Sequence, residues 1–145
     1  MSHRGPEIAL ANEARMSTTT ENGSVRITGI DLSGYMVKDY DRAIAFYQGV
    51  LGLEPTMVYP GGGGAEFELA DGTTFGLWNP GDTMPFRPAS GVLFAVEDLD
   101  AAKAALKAHG VPIQMEHESP ICFMAMCEDP DGNSVVLHKR KPGTH

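Results

Sequence analysis

YMVKDYDRAIAFYQGVLGL, residues 35–53, carries the end of a strand, a tight entry into a helix and a helix stop. Val37 closes the strand. Asp39 is suited to cap the helix, because its short side chain accepts a bond from an orphan backbone N–H two or three residues on. Ala43, Phe46, Tyr47 and Val50 then recur at i, i+3, i+4 and i+7, which makes one apolar helical face. Gly52 stands where a helix end favours positive φ. The spacing predicts a helix over about residues 40–51.

The chain contains this pattern twice. VLFAVEDLDAAKAALKAHGVP, residues 92–112, repeats it: Val96 follows Val37 by 59 residues, and Asp98, Asp100 and Ala102 follow Asp39, Asp41 and Ala43 at the same offset. Gly110 follows Gly52 at 58. Downstream, ADGTTFGLW (70–78) matches PDGNSVVLH (130–138) at an offset of 60. Each half therefore reads strand, helix, strands, then an Asp-Gly turn into a last strand. Two copies are too few for a solenoid and indicate a duplicated domain.

Outward from these copies the chain divides simply. Residues 1–24 are polar and form an N-terminal extension, with a short amphipathic helix expected over Pro6–Met16 and linker composition from Ser17 to Ser24. Residues 25–145 form a single domain, its first module about 25–80 and its second about 90–141. Val25 to Val37 is the expected first strand. The run Gly61 to Gly64 has no following Lys-Ser/Thr and opens no helix, so it reads as a flexible hairpin loop and not a phosphate cradle. Asp71-Gly72 is a two-residue turn signal. Asn79 to Ser90, with three prolines, is the crossover between halves. The second helix is expected over about 99–109. Ile113 to Met115 opens the last meander, with His117 in a loop. Cys122 and Cys127, five apart on one expected strand, point to opposite faces and are not mutual partners.

Composition narrows the function. A 145-residue chain with 42% hydrophobic residues is one globular domain by size. A net charge of −8 argues against nucleic acid, whose binding relies on basic patches. No apolar run approaches the roughly 18 residues that suggest a membrane span. No secretory pattern opens the chain and the two cysteines have no pairing pattern, so a reducing, cytoplasmic setting is expected.

The set of motifs Val37-x-Asp39, Arg42, Ala43, Phe46-Tyr47, Leu51-Gly52, Val96-x-Asp98 and Asp129-Pro130-Asp131-Gly132-Asn133 resembles the vicinal oxygen chelate superfamily, the group of glyoxalase I, bleomycin-resistance proteins and extradiol dioxygenases. The resemblance implies an α+β fold: two βαβββ modules, their eight strands forming a curved, open-barrel-like sheet around a cavity, and commonly a homodimer. It also implies four metal-ligand positions, one on each of four strands. In this chain they fall at Leu32, Gly76, Gly91 and Val136, none of which has a donor.

Strand alternation then predicts what the cavity holds. Leu32, Gly34 and Met36 share a face, as do Gly91, Leu93 and Ala95, as do Thr74, Gly76 and Trp78, and as do Ser134, Val136 and His138. Met124 and Met126 are expected to supply soft, adaptable walls. This apolar cup, with one indole and one imidazole, suits a small apolar or aromatic, antibiotic-like molecule bound without metal or other cofactor, as the bleomycin-resistance branch of the resembled family does. The competing reading is a glyoxalase- or dioxygenase-like lyase or isomerase. It would hold a metal through displaced ligands, His138, His117 and Glu116 with Glu66 or Glu68, or work without one through His138 as general base.

Overall fold

The computed structural model describes residues 25–143. The extension 1–24 and its predicted helix lie outside them. The chain divides into one unit ending at Asp31 and a second, Leu32–His145. Within the first, residues 25–31 have no regular structure and Val25, Ile27 and Ile30 are exposed. The second carries the fold.

Its elements are β1 (Ser33–Met36), α1 (Tyr40–Ile44) continuing as a π-helical turn (Ala45–Val50), β2 (Met57–Tyr59), β3 (Gly64–Glu68), β4 (Thr74–Trp78), β5 (Val92–Ala95), α2 (Leu99–Ala108), β6 (Met115–Glu118), β7 (Cys122–Glu128) and β8 (Ser134–Arg140). The strands form two four-stranded sheets of identical order, β1-β4-β3-β2 and β5-β8-β7-β6. In each, the first strand runs parallel to the fourth and the other pairs are antiparallel. This is two βαβββ modules in one α+β chain.

The halves match bond for bond. Asp39 Oδ1 accepts from Arg42 N at 3.1 Å, and Asp98 Oδ1 accepts from Ala101 N at 2.9 Å, so both helices carry the expected cap. Val37 N donates to Trp78 O at 2.9 Å, and Val96 N to His138 O at 3.0 Å. The turns close alike, Gly72 N on Leu69 O at 2.9 Å and Gly132 N on Asp129 O at 3.1 Å.

Three elements differ from the sequence reading. The first strand begins at Ser33 and not Val25, because the parallel ladder with β4 extends only from Phe75 to Trp78. The first helix widens after Ile44, with Leu51 N bonding Phe46 O at 3.0 Å, an i→i+5 bond. A π turn rotates less per residue, so neighbouring Phe46 and Tyr47 both reach the core, at 6% and 0% exposure. His117 lies on β6 and not in a loop. Met-Glu-His-Glu lacks apolar alternation because β6 is a solvent-exposed edge strand.

One core joins the modules. Tyr35, Val37, Tyr47, Phe67, Phe75 and Leu77 from the first pack in the same cluster as Phe94, Leu106, Val135 and Leu137 from the second. Phe75 and Phe94 meet edge to face at 4.9 Å across the join. Each such side chain, fully buried, contributes about 1.5–3 kcal/mol.

The join also has a polar centre, built by Asp129-Pro130-Asp131-Gly132-Asn133. Asp129 is 5% exposed and its carboxylate accepts four bonds: Asp131 N (2.9 Å), Asn133 N (2.9 Å), Asn133 Nδ2 (2.8 Å) and Tyr47 Oη (2.8 Å). Asn133 Nδ2 also donates to Met36 O at 2.9 Å, and its Oδ1 accepts from Ala89 N at 2.8 Å. Asp131 takes Arg42 on one oxygen and Lys38 N on the other. Tyr35 Oη donates to Ser134 O at 2.5 Å. Burial pushes the Tyr35 hydroxyl up to about 12. It raises Tyr47 further, with the Asp129 charge adding to it. The motif thus stitches module to module.

Candidate functional site

Each sheet turns one face to this core and the other away from it. On the first sheet, residues directly opposite one another form rows that share a face. Gly34, Gly76, Glu66 and Met57 make one row of the outer face. Met36, Trp78, Gly64 and Tyr59 make the next, and Thr74 with Glu68 begins a third. Leu32 lies over Gly76: a Cβ there would meet Leu32 Cδ1 at 3.2 Å.

These residues enclose a cavity of about 440 Å3 lined by Leu32, Gly34, Met36, Tyr59, Gly76 and Trp78, with Tyr35 and Leu77 beneath. Its floor is glycine for steric reasons. A Cβ on Gly34 would stand 1.9 Å from the carbonyl oxygen of Gly76, and one on Gly64 would stand 2.1 Å from that of Leu77. Side chains are therefore excluded at Gly34 and Gly64, which leaves room between Leu32, Met36, Tyr59 and Trp78. Trp78 remains 42% exposed and Leu32 44% exposed, large apolar surfaces left open among the described residues.

Tyr59 and Glu66 bring polarity to this face. Tyr59 Oη donates to Glu66 Oε2, and that bond, followed by burial, raises the phenol above its ordinary range. The sequence alone gives Tyr59 no role and Glu66 only that of a displaced metal ligand. The signal was present in β3, where Gly64, Glu66 and Glu68 alternate with the inward Ala65 and Phe67.

The other predicted residues fall elsewhere. Met126 and Val136 share a row with Leu93 and Met115 on the outer face of the second sheet. His138 shares the next with Ala95, Met124 and His117. Gly91 and Leu93 line a second, larger cavity of about 970 Å3 between β5, α2, the β3–β4 hairpin and Leu51 and Leu53. The ten predicted residues thus divide: Leu32, Gly34, Met36 and Trp78 come together on one sheet, while Met124, Met126, Val136 and His138 occupy the other.

The residues present do not fit the family's metal. Leu32, Gly76, Gly91 and Val136 offer no nitrogen or carboxylate oxygen, where zinc-type coordination requires donors at about 2.0–2.2 Å. Among the described residues, no three His, Cys, Asp or Glu side chains stand together as a potential metal site. The displaced set is split. Glu116 is in register with buried Ala125 and pairs with Lys103 at 2.8 Å, so it faces the helix while His117 and His138 face away. Cys122 and Cys127 are free and buried, and desolvation pushes the Cys127 thiol up to about 11, which keeps it protonated and inert.

Comparison with known proteins agrees with this architecture. The family model described as Glyoxalase/Bleomycin resistance protein/Dioxygenase superfamily matches residues 29–137. Among solved structures, TnmS3, an antibiotic binding protein from Streptomyces sp. CB03234, superposes with a TM-score of 0.67 at 28% identity over 81% of this chain and 99% of that one. A glyoxalase/bleomycin resistance protein from Streptomyces sp. CB03234 gives 0.62 at 30% identity over 73% and 96%. Lactoylglutathione lyase from Agrobacterium tumefaciens gives 0.65 at 25% identity over 79% and 95%. No curated protein matches the sequence significantly. No helix among the described residues is long and apolar enough to cross a membrane. With its paired βαβββ modules and a family match spanning most of its length, the chain belongs to the glyoxalase/bleomycin-resistance/dioxygenase superfamily.

Proposed function

We propose that this protein binds a small apolar or aromatic molecule, without metal, on the outer face of the first sheet. The observation that carries the reading is the cavity at Leu32, Gly34, Met36, Gly76 and Trp78, glycine-floored, apolar-walled and edged by an indole. Ligand sites are mostly apolar with a few orienting polar groups, and Tyr59 and Glu66 answer to that description. The likeness to TnmS3, an antibiotic binding protein, supports an antibiotic-like guest. A guest gains about 25 cal/mol per Å2 of apolar surface removed from water, and stacking on Trp78 adds about 0.5–1.5 kcal/mol.

The working form is a homodimer in which the first-sheet face of one copy closes over the second-sheet face of the other. Leu32, Met57 and Trp78 on the first face, and Leu93 and Met115 on the second, are all more than 40% exposed. Such closure would bring Met124, Met126, Val136 and His138 to the guest from the second copy. The setting is cytoplasmic, with both cysteines reduced.

Two measurements test this. Trp78, the single tryptophan of the chain, should lose fluorescence on titration with flat aromatic compounds, and Trp78→Ala should weaken their binding measured by calorimetry. Elemental analysis of purified protein should find no stoichiometric zinc, nickel or iron. A metal held by His138 and His117 would overturn the reading and favour a lyase or isomerase.

A further inference from the structure

The outer face of the first sheet is unbalanced in charge. Its rows contain the carboxylates of Glu66 and Glu68, the aromatic rings of Tyr59 and Trp78, and no lysine or arginine. Among the described residues no cation pairs with either glutamate, although the lysines elsewhere do find carboxylates: Lys103 meets Glu116 at 2.8 Å and Lys141 meets Glu118 at 2.6 Å. Glu66 is half-buried, and the partner the structure gives it is the Tyr59 hydroxyl. That bond holds one carboxylate oxygen against Tyr59, which lines the cavity, with Glu66 directly opposite the lining Gly76, and leaves the charge uncompensated. Beside it, the apolar side chains of Leu32, Met36 and Trp78 line the cavity and lower the local polarity, which strengthens any charge interaction made there.

A neutral aromatic guest would leave that carboxylate half-desolvated and unpaired. A planar guest bearing a fixed positive charge would pair with Glu66 while its ring lay against Trp78, whose π face also attracts cations. The net charge of −8 adds a long-range pull in the same direction. We infer that the site selects planar aromatic cations, with Glu66 as the charge-reading residue, Tyr59 holding it in place and Glu68, one row further along the same face, adding to the field. This rests on the aromatic-binding reading above and adds to it the sign of the guest.

The test uses N-methylacridinium, permanently cationic, against acridine at mildly alkaline pH, where acridine carries no charge. Each is titrated into the full-length protein and followed by calorimetry. Wild type should bind the cation about tenfold more tightly, one charge contact of about 1.4 kcal/mol. Raising ionic strength should erode that preference, since part-exposed pairs are screened. Glu66→Gln, which keeps the shape and an acceptor for Tyr59, should remove most of it, and Glu68→Gln a smaller share. Equal binding of the two probes by wild type would overturn the inference while leaving aromatic binding intact. A preference that survives Glu66→Gln would refute the assignment to Glu66. If neither probe binds, both this inference and the aromatic site fall.

Discussion

Removing one amide should separate the two modules. Asn133 is fully buried, and its side chain makes three bonds: to Met36 O in the first module, to the Asp129 carboxylate, and from Ala89 N in the crossover. Asn133→Ala removes the side-chain partner of two part-buried backbone groups, Met36 O and Ala89 N, and deprives a 5% exposed carboxylate of one of its four donors. A buried orphan costs about 1–3 kcal/mol, and more beside a charge. The alanine cavity lets water recover part of that, so the net loss should be about 3–5 kcal/mol. For a domain of this size about 4 °C accompanies each kcal/mol, and the melting temperature should fall by roughly 12–20 °C. Urea denaturation of wild type and variant, followed by circular dichroism, gives the difference directly. Asp100→Ala serves as control: Asp100 is 96% exposed and its contact with Lys103 is 3.7 Å long, so it should change stability by less than about 0.5 kcal/mol. In a double-mutant cycle, Tyr47→Phe should couple to Asn133→Ala by about 1 kcal/mol, because both side chains donate to Asp129 Oδ2. A loss below 1 kcal/mol for Asn133→Ala, on the scale of one ordinary hydrogen bond, would refute the idea that this network holds the modules together.

Other outcomes follow from the same geometry. Gly34→Ala should fail to fold or lose more than about 3 kcal/mol, since its Cβ has no escape from the Gly76 carbonyl; recovery of a native-like melting curve would show that the strands can part there. Gly76→Ala is tight only against the movable Leu32 side chain, at 3.2 Å, and meets the Ala65 carbonyl at an ordinary 3.8 Å, so it should cost little stability and instead weaken binding of flat aromatics by filling the cavity floor. Tyr35 and Tyr47 ionise less readily folded than unfolded, so the stability they carry is complete below about pH 10, the unfolded value, and is lost as pH rises above it, for Tyr35 through about 12 and for Tyr47 further still. Tyr35→Phe should flatten that alkaline decline in a pH series of urea midpoints; an unchanged slope would count against the buried hydroxyl. Sedimentation at tens of micromolar, a concentration that populates micromolar interfaces, should show a dimer, and Trp78→Glu should shift it toward monomer.

Local signals were readable in the sequence where the chain acts on itself over short distances. The caps at Asp39 and Asp98, the glycine helix stops and the two Asp-Gly turns are bonds within four residues, and pattern suffices to find them. The apolar face of β1 and β4 was legible for the same reason, and with it Leu32, Gly34, Met36 and Trp78. What Asp129 and Asn133 do was not legible, because their partners Tyr47 and Met36 lie 82 and 97 residues away. Alternation assigns a residue to a face of its own strand and says nothing about which sheet that face looks toward. Hence alternation puts Val136 and His138 on the outer face of β8 without saying how that face stands to the one carrying Trp78. Tyr59 gives no signal of its own because β2 is three residues long, too short for its alternation to register.

The network at Asp129–Asn133 also bears on how the chain is made. The first module is synthesised long before the turn that completes it. Until that turn emerges from the ribosome, Tyr47 has no carboxylate to donate to, the Met36 carbonyl has no amide and Arg42 has no Asp131. The nascent first half is left with its aromatic cluster half-covered, a surface that invites mispairing with neighbouring chains. Productive closure waits on residues 129–133, so a ribosome stalled before residue 129 would hold a first module with all its strands and no lock.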